Sequence, residues 1–73
     1  MDENIKDINN KILGSKIREY RKKNKLSLEE LAKKIGITKL SVQKYEVGDR
    51  TIPFNILVNF FKELEIPINE LEY

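Results

Sequence analysis

The sequence predicts an all-α domain of five helices, and three observations carry that prediction. Apolar residues recur at spacings of three and four, as in Leu13, Ile17 and Tyr20 and again in Leu57, Phe60, Phe61 and Leu64, which is the period of a helix and not of a strand. Ser27 and Thr38 read as helix starts, and Gly36 and Pro67 read as stops, so the chain divides into short segments. The 73 residues hold no Cys and no His, which leaves no disulfide framework and no Cys/His metal site, so helices must supply the stability alone or with a partner subunit. A chain of this size makes one small domain and buries about 60% of its unfolded surface.

Residues 1–10 are polar and read as a tail or an extra helical turn; residues 11–73 form the domain. Helix 1 is expected from about Asn10 to Asn24, with Leu13, Ile17 and Tyr20 as its apolar stripe. Gly14 within it costs about 1 kcal/mol relative to Ala, and either permits close packing or marks where the regular helix begins. Asn24-Lys25 ends the helix, with Leu26 tucked behind. Ser27 and Glu30 form a Ser-x-x-Glu capping box for helix 2, Leu28 to Ile35, which turns Leu31, Ala32 and Ile35 inward. Gly36 suits the left-handed backbone that commonly ends a helix. Thr38 caps helix 3, which runs to Tyr45 or Glu46 with Val42 and Tyr45 inward. Residues 48–51 form a polar loop. Pro53 suits the first turn of helix 4, and Pro67 separates it from a short last helix, Asn69 to Leu71.

The corner between helices 2 and 3 is the most informative part of the chain. Counted from Leu28, Ala32 is fifth, Gly36 ninth, Val42 fifteenth and Tyr45 eighteenth. A small side chain at the fifth position lets the two helices meet. The ninth carries the turn, and the fifteenth and eighteenth anchor helix 3 to the core. Residues 28–47 therefore read as a helix-turn-helix, which leaves Lys39, Leu40, Ser41, Gln43 and Lys44 pointing outward for insertion into a DNA groove.

Charge is unevenly placed. The net charge is only +2, but residues 11–50 carry twelve basic against five acidic side chains, +7, between ends of −2 and −3. That distribution fits a surface facing a polyanion, and equally a lysine-rich solvated helix surface. No run of about 18 apolar residues exists to cross a membrane, and no secretory signal pattern opens the chain, so a cytoplasmic location is expected. With no His, no Cys and no Gly-rich phosphate loop, an enzyme is not expected, and no cofactor or metal is implied.

The central segment resembles the Xre/Cro family of helix-turn-helix domains, which includes phage repressors. Residues 17–23 (Ile-Arg-Glu-Tyr-Arg-Lys-Lys) resemble its first helix, residues 26–32 its second, and Gly36-Ile37-Thr38 its turn. Residues 45–50, Tyr-Glu-Val-Gly-Asp-Arg, resemble the aromatic-Glu-x-Gly-x-Arg stretch after its recognition helix. Ile52-Pro53, Leu57, Phe60, Phe61, Leu64 and Ile66 follow at its spacing. The resemblance covers Ile12 to Leu71. Two residues depart from it: Leu28 stands where the family often has a Gln that contacts DNA, and Pro67 replaces a frequent helix-capping Ser.

The resemblance implies a compact five-helix, lambda repressor-like domain and assigns roles to residues. Lys39, Leu40, Ser41 and Lys44 take the base-reading positions. A lysine can donate to guanine O6 and N7, and Leu40 can meet a thymine methyl. Simple phosphate neutralisation is the alternative for both lysines. Ser27, Thr38, Gln43, Arg50 and Thr51 take phosphate-facing positions, where the hydroxyls also serve as caps. Arg21 and Glu46 are expected to form a structural ion pair tying helix 1 to the end of helix 3. Phe54, Ile56, Val58, Ile68 and Tyr73 exceed what the core face of helix 4 needs. A homodimer would cover them and space two recognition helices about one DNA turn apart; a well-packed monomer is the alternative. The expected function is sequence-specific binding to a double-stranded DNA operator as a transcriptional regulator, most simply a repressor. The 73 residues contain no sensor domain, so a signal would enter through a partner, a ligand at the dimer surface or protein concentration. The competing class is a protein-interaction module, such as an antitoxin or a partner of another regulator.

Overall fold

A computed structural model describes residues 2–71, with side chains from residue 8 onward. It is all-helical: α1 (Asp2–Lys23), α2 (Leu28–Ile35), α3 (Lys39–Val47) and α4 (Phe54–Leu64), followed by a 3₁₀ turn, Ile68–Leu71. No strand occurs among the described residues. Two elements differ from expectation. Helix α1 starts at Asp2 rather than Asn10, because no apolar stripe is needed to continue a helix already nucleated downstream. The expected fifth helix is instead a 3₁₀ turn, in which the Glu70 N–H bonds to the Pro67 carbonyl three residues back, at 3.0 Å.

All four α-helices close by the same device. A residue with left-handed backbone follows the helix, and the next N–H reaches back to the carbonyl five residues earlier. Leu26 bonds to Arg21, Ile37 to Ala32, Asp49 to Lys44 and Ile66 to Phe61, at 2.9 to 3.1 Å. The left-handed residues are Lys25, Gly36, Gly48 and Glu65, with φ of 57°, 86°, 83° and 55°. Glycines thus take this strain at both ends of α3, where it costs least.

The core is built from Ile17 of α1, Leu31 and Ala32 of α2, Val42 and Tyr45 of α3, Ile52 of the loop, Phe60, Phe61 and Leu64 of α4, and Ile66. Tyr45 and Phe60 meet edge to face, with ring centroids 6.1 Å apart. Helix α3 lies against α1 and α2, and α4 also packs against α1 and α2. The α1–α3 contact depends on two absent side chains. A Cβ at Gly14 would collide with the backbone carbonyls of Tyr45 and Glu46, and one at Gly48 would press on Lys11. Gly14 therefore serves close packing and interrupts nothing. Ile56 packs against the core, whereas Phe54, Val58 and Ile68 are exposed. Tyr73 lies outside the described residues.

Candidate nucleic-acid interface

The interface begins with the caps that set α2 and α3. The Ser27 hydroxyl accepts from the Glu30 N–H (3.0 Å), and the Glu30 carboxylate accepts from the Ser27 N–H (2.8 Å). These bonds hold the Glu30 carboxyl below its ordinary range, the backbone bond to Ser27 contributing most. Thr38 caps α3 by accepting from the Ser41 N–H at 3.1 Å. Gly36 reverses the backbone between the helices, and buried Ala32 admits the close contact.

Helix α3 has one buried face and one open face. Val42, Tyr45 and Glu46 turn inward. Lys39, Leu40 and Gln43 are exposed and Lys44 is half-buried on the opposite side. Leu40 keeps 57% of its surface in solvent, and Val47, seven residues on along the same face, keeps 55%. Motif spacing misses the Val47 position, although its offset from Leu40 places it there. It misses Arg18 as well, which borders a groove with Arg21, Leu28, Gln43, Glu46 and Val47. Leu28 itself packs against the core, so the position that departs from the Xre/Cro pattern joins the apolar interior and offers no polar group.

Thr38, Ser41 and Arg50 converge. Arg50 Nη1 donates to Ser41 Oγ at 3.0 Å, and the Thr38 hydroxyl donates to the same oxygen at 2.9 Å. The Arg50 guanidinium also stands 5.9 Å from the Tyr45 ring centroid. Both acceptor sites of Ser41 are filled from within this cluster, so Ser41 and Arg50 offer outward a hydroxyl proton and the remaining guanidinium N–H groups. Donors of this kind suit an anionic oxygen. Thr51 is held differently: its hydroxyl accepts from Asn10 Nδ2 at 3.0 Å, which ties the loop to α1.

Arg21 and Glu46 meet behind this surface. Arg21 Nε and Nη2 donate to the two Glu46 oxygens at 2.7 and 3.1 Å, and Nη1 donates to the Leu26 carbonyl at 2.9 Å. Their side chains are only 12% and 5% exposed. The forked pair joins α1 to α3 and to the start of the helix-turn-helix, which leaves Arg21 turned away from solvent. Across the corner, Lys39 Nζ lies 3.8 Å from Glu29 Oε1. Ser27, Glu29 and Lys39 border a groove of about 530 Å³ between the starts of α2 and α3. Among the described residues no cluster of His, Cys, Asp or Glu could hold a metal ion, and no helix is long and apolar enough to cross a membrane.

Comparisons with known proteins agree with this architecture. The helix-turn-helix family model matches residues 17–71, the whole span from the middle of α1 to the last turn. A protein of Pyrococcus abyssi (strain GE5 / Orsay), named "Putative HTH-type transcriptional regulatory protein", is 33% identical over 66 residues, which cover 85% of this chain and 21% of that protein. The chain thus spans about a fifth of the length of that curated relative. No solved structure matches it. With two capped helices meeting at Gly36, and with this match over most of its length, the chain belongs to the Xre/Cro-like helix-turn-helix family.

Proposed function

We propose that the chain is a sequence-specific DNA-binding transcriptional regulator that inserts α3 into the major groove and represses by occupying its operator. The observation that carries this reading is the two-sidedness of α3. Its inner face is fixed by Val42, Tyr45 and the Glu46–Arg21 pair, while Lys39, Leu40, Gln43 and Lys44 stand free of the core. A helix held rigidly from behind, with a polar and basic front, is what groove reading requires. In this reading Lys39, Leu40 and Lys44 face base edges. The Thr38–Ser41–Arg50 cluster, with Ser27, Gln43 and Thr51, positions the protein on phosphates, and Ser41 reaches either kind of acceptor. Arg18 and Val47 extend the same surface. No step of this mechanism is enzymatic and none needs a cofactor, and the regulator would act in the cytoplasm.

The reading includes a lambda repressor-like homodimer. Phe54, Val58 and Ile68 are 79%, 46% and 73% exposed and line an apolar groove of about 330 Å³ with Leu57, Phe61, Ile66 and Leu71. Pairing through this face would space two copies of α3 along one side of the duplex. A protein co-regulator on the same face is the second reading, which that exposed apolar surface also favours. Titration of a DNA duplex with the chain at increasing salt tests the main proposal. Affinity falls with a log–log slope of about −0.9 for each phosphate neutralised, and the complex carries two protein copies per site. A flat salt response contradicts DNA binding by this surface.

A further inference from the structure

We propose that Glu29 is a specificity-determining residue that acts with Lys39 to read one G·C base pair; the inference rests on the DNA-reading assignment above. Glu29 lies in the first turn of α2 and Lys39 opens α3, so the pair spans the corner on which that assignment depends. Nζ and Oε1 stand 3.8 Å apart, with the side chains 53% and 78% exposed. An ion pair this open adds little to stability. The first-turn carboxylate that caps α2 is Glu30, which leaves Glu29 without a capping task.

A carboxylate beside a DNA-facing groove has a definite consequence. Phosphates repel it, so close approach is favourable only where the DNA offers it a hydrogen-bond donor. In the major groove a G·C pair presents two acceptors, guanine N7 and O6, next to one donor, the cytosine N4 amino group. An ammonium beside a carboxylate is the complement of that edge: Lys39 donates to guanine, and Glu29 accepts from the paired cytosine. On DNA lacking the pair, Glu29 keeps hold of Lys39 and repels the backbone, which weakens non-specific binding. The same side chain therefore favours the right site and disfavours the wrong ones.

Selection of bound sites from a random duplex library tests this with four proteins: the unaltered chain, Glu29→Gln, Lys39→Ala and the double variant. The unaltered chain selects a motif containing a G·C pair. Each single variant relaxes preference at that same pair by about fivefold or more, and the double variant relaxes it no further. Glu29→Gln also binds scrambled DNA more tightly than the unaltered chain does. Its Tm stays within about 3 °C of the unaltered value, because only an exposed pair and a first-turn charge are lost. If Glu29→Gln leaves the motif intact, tightens binding to all sequences equally, or relaxes only an A·T pair, the inference is overturned while the DNA-reading assignment stands. If the unaltered chain selects no motif, both fall.

Discussion

The corner formed by α2 and α3 and the C-terminal part formed by α4 and the 3₁₀ turn are held together in opposite ways. The helix ends of the corner are specified locally, with the Arg21–Glu46 pair fastening α3 to α1 from behind. The corner's helices start at side-chain caps three residues from their partners, and its left-handed positions are glycines. In the C-terminal part, Pro53 offers α4 no side-chain cap, and Glu65 takes the left-handed position that glycine would fill more easily. That part is fastened from a distance: Glu70 accepts from Lys16 Nζ at 2.9 Å and from the Tyr20 hydroxyl at 2.6 Å, both on α1. Asn24 Nδ2 adds a bond to the Leu64 carbonyl, 3.2 Å. The helix ends of the corner are thus set by neighbouring residues, whereas the C-terminal part is tied to α1 and keeps an exposed apolar face, Phe54, Val58 and Ile68.

The heaviest loss should come from cutting the link behind α3. Replacing Glu46 with Gln leaves the buried Arg21 guanidinium without its counter-charge, and breaking such a pair costs about 3–5 kcal/mol. Calorimetry should show a Tm lower by roughly 15–30 °C in a domain of this size. An unchanged Tm would mean that the pair is not structural. Next in size is Gly14→Ala, which drives a methyl into the carbonyls of Tyr45 and Glu46 and costs about 1–3 kcal/mol by forcing α1 from α3. Urea unfolding should register the loss, whereas a helix-propensity view alone predicts a gain of about 1 kcal/mol.

Acid compares the two parts directly. The Glu70 carboxyl is held below its ordinary range, first by the Lys16 bond and then by the Tyr20 bond, as Glu30 is by Ser27. A carboxyl depressed on folding contributes stability that is present above its unfolded value of 4.5 and lost as pH falls through its lower folded value. Tm should therefore decline as pH drops below 4.5, and Glu70→Gln and Glu30→Gln should each flatten the decline. The Tyr20 phenol is raised above 10.0, first by its bond to Glu70, so its contribution is full below that value and is lost only at higher pH. The slightest change should be a gain. Glu65→Gly relieves a left-handed backbone at a cost in unfolded-chain entropy, for a net stabilisation of about 0.5 kcal/mol in urea unfolding. A loss there would mean that the C-terminal part is as finely specified as the corner.

The same contrast explains which features are legible in the sequence. Ser27, Glu30, Gly36 and Thr38 act within one helical turn of their partners, so their residue types and spacing state their roles. The Arg21–Glu46 pair, 25 residues apart, is expected only through resemblance to known domains. Lys16 and Tyr20 stand 54 and 50 residues from Glu70, and no local pattern announces that cluster. Ser41 reads as an outward polar residue beside its cap Thr38, and only the loop after α3 brings Arg50 to it. Val47 and Arg18 escape notice because motif spacing marks buried positions, whereas their part in the surface depends on which helix faces stay open. A fifth α-helix overstates the C-terminal end, because Pro67 signals a break without dictating whether residues 68–71 form an α-helix or a single 3₁₀ turn.

In the proposed function, α3 reads DNA as a helix seated from within and open on its outer face. The most direct test is the affinity of Lys44→Ala for the selected operator and for scrambled DNA, measured at one salt concentration. If α3 reads bases, the ratio of the two affinities falls by about fivefold or more, with the loss confined to particular base pairs. Equal weakening on both DNAs would contradict base reading and leave Lys44 as a phosphate contact.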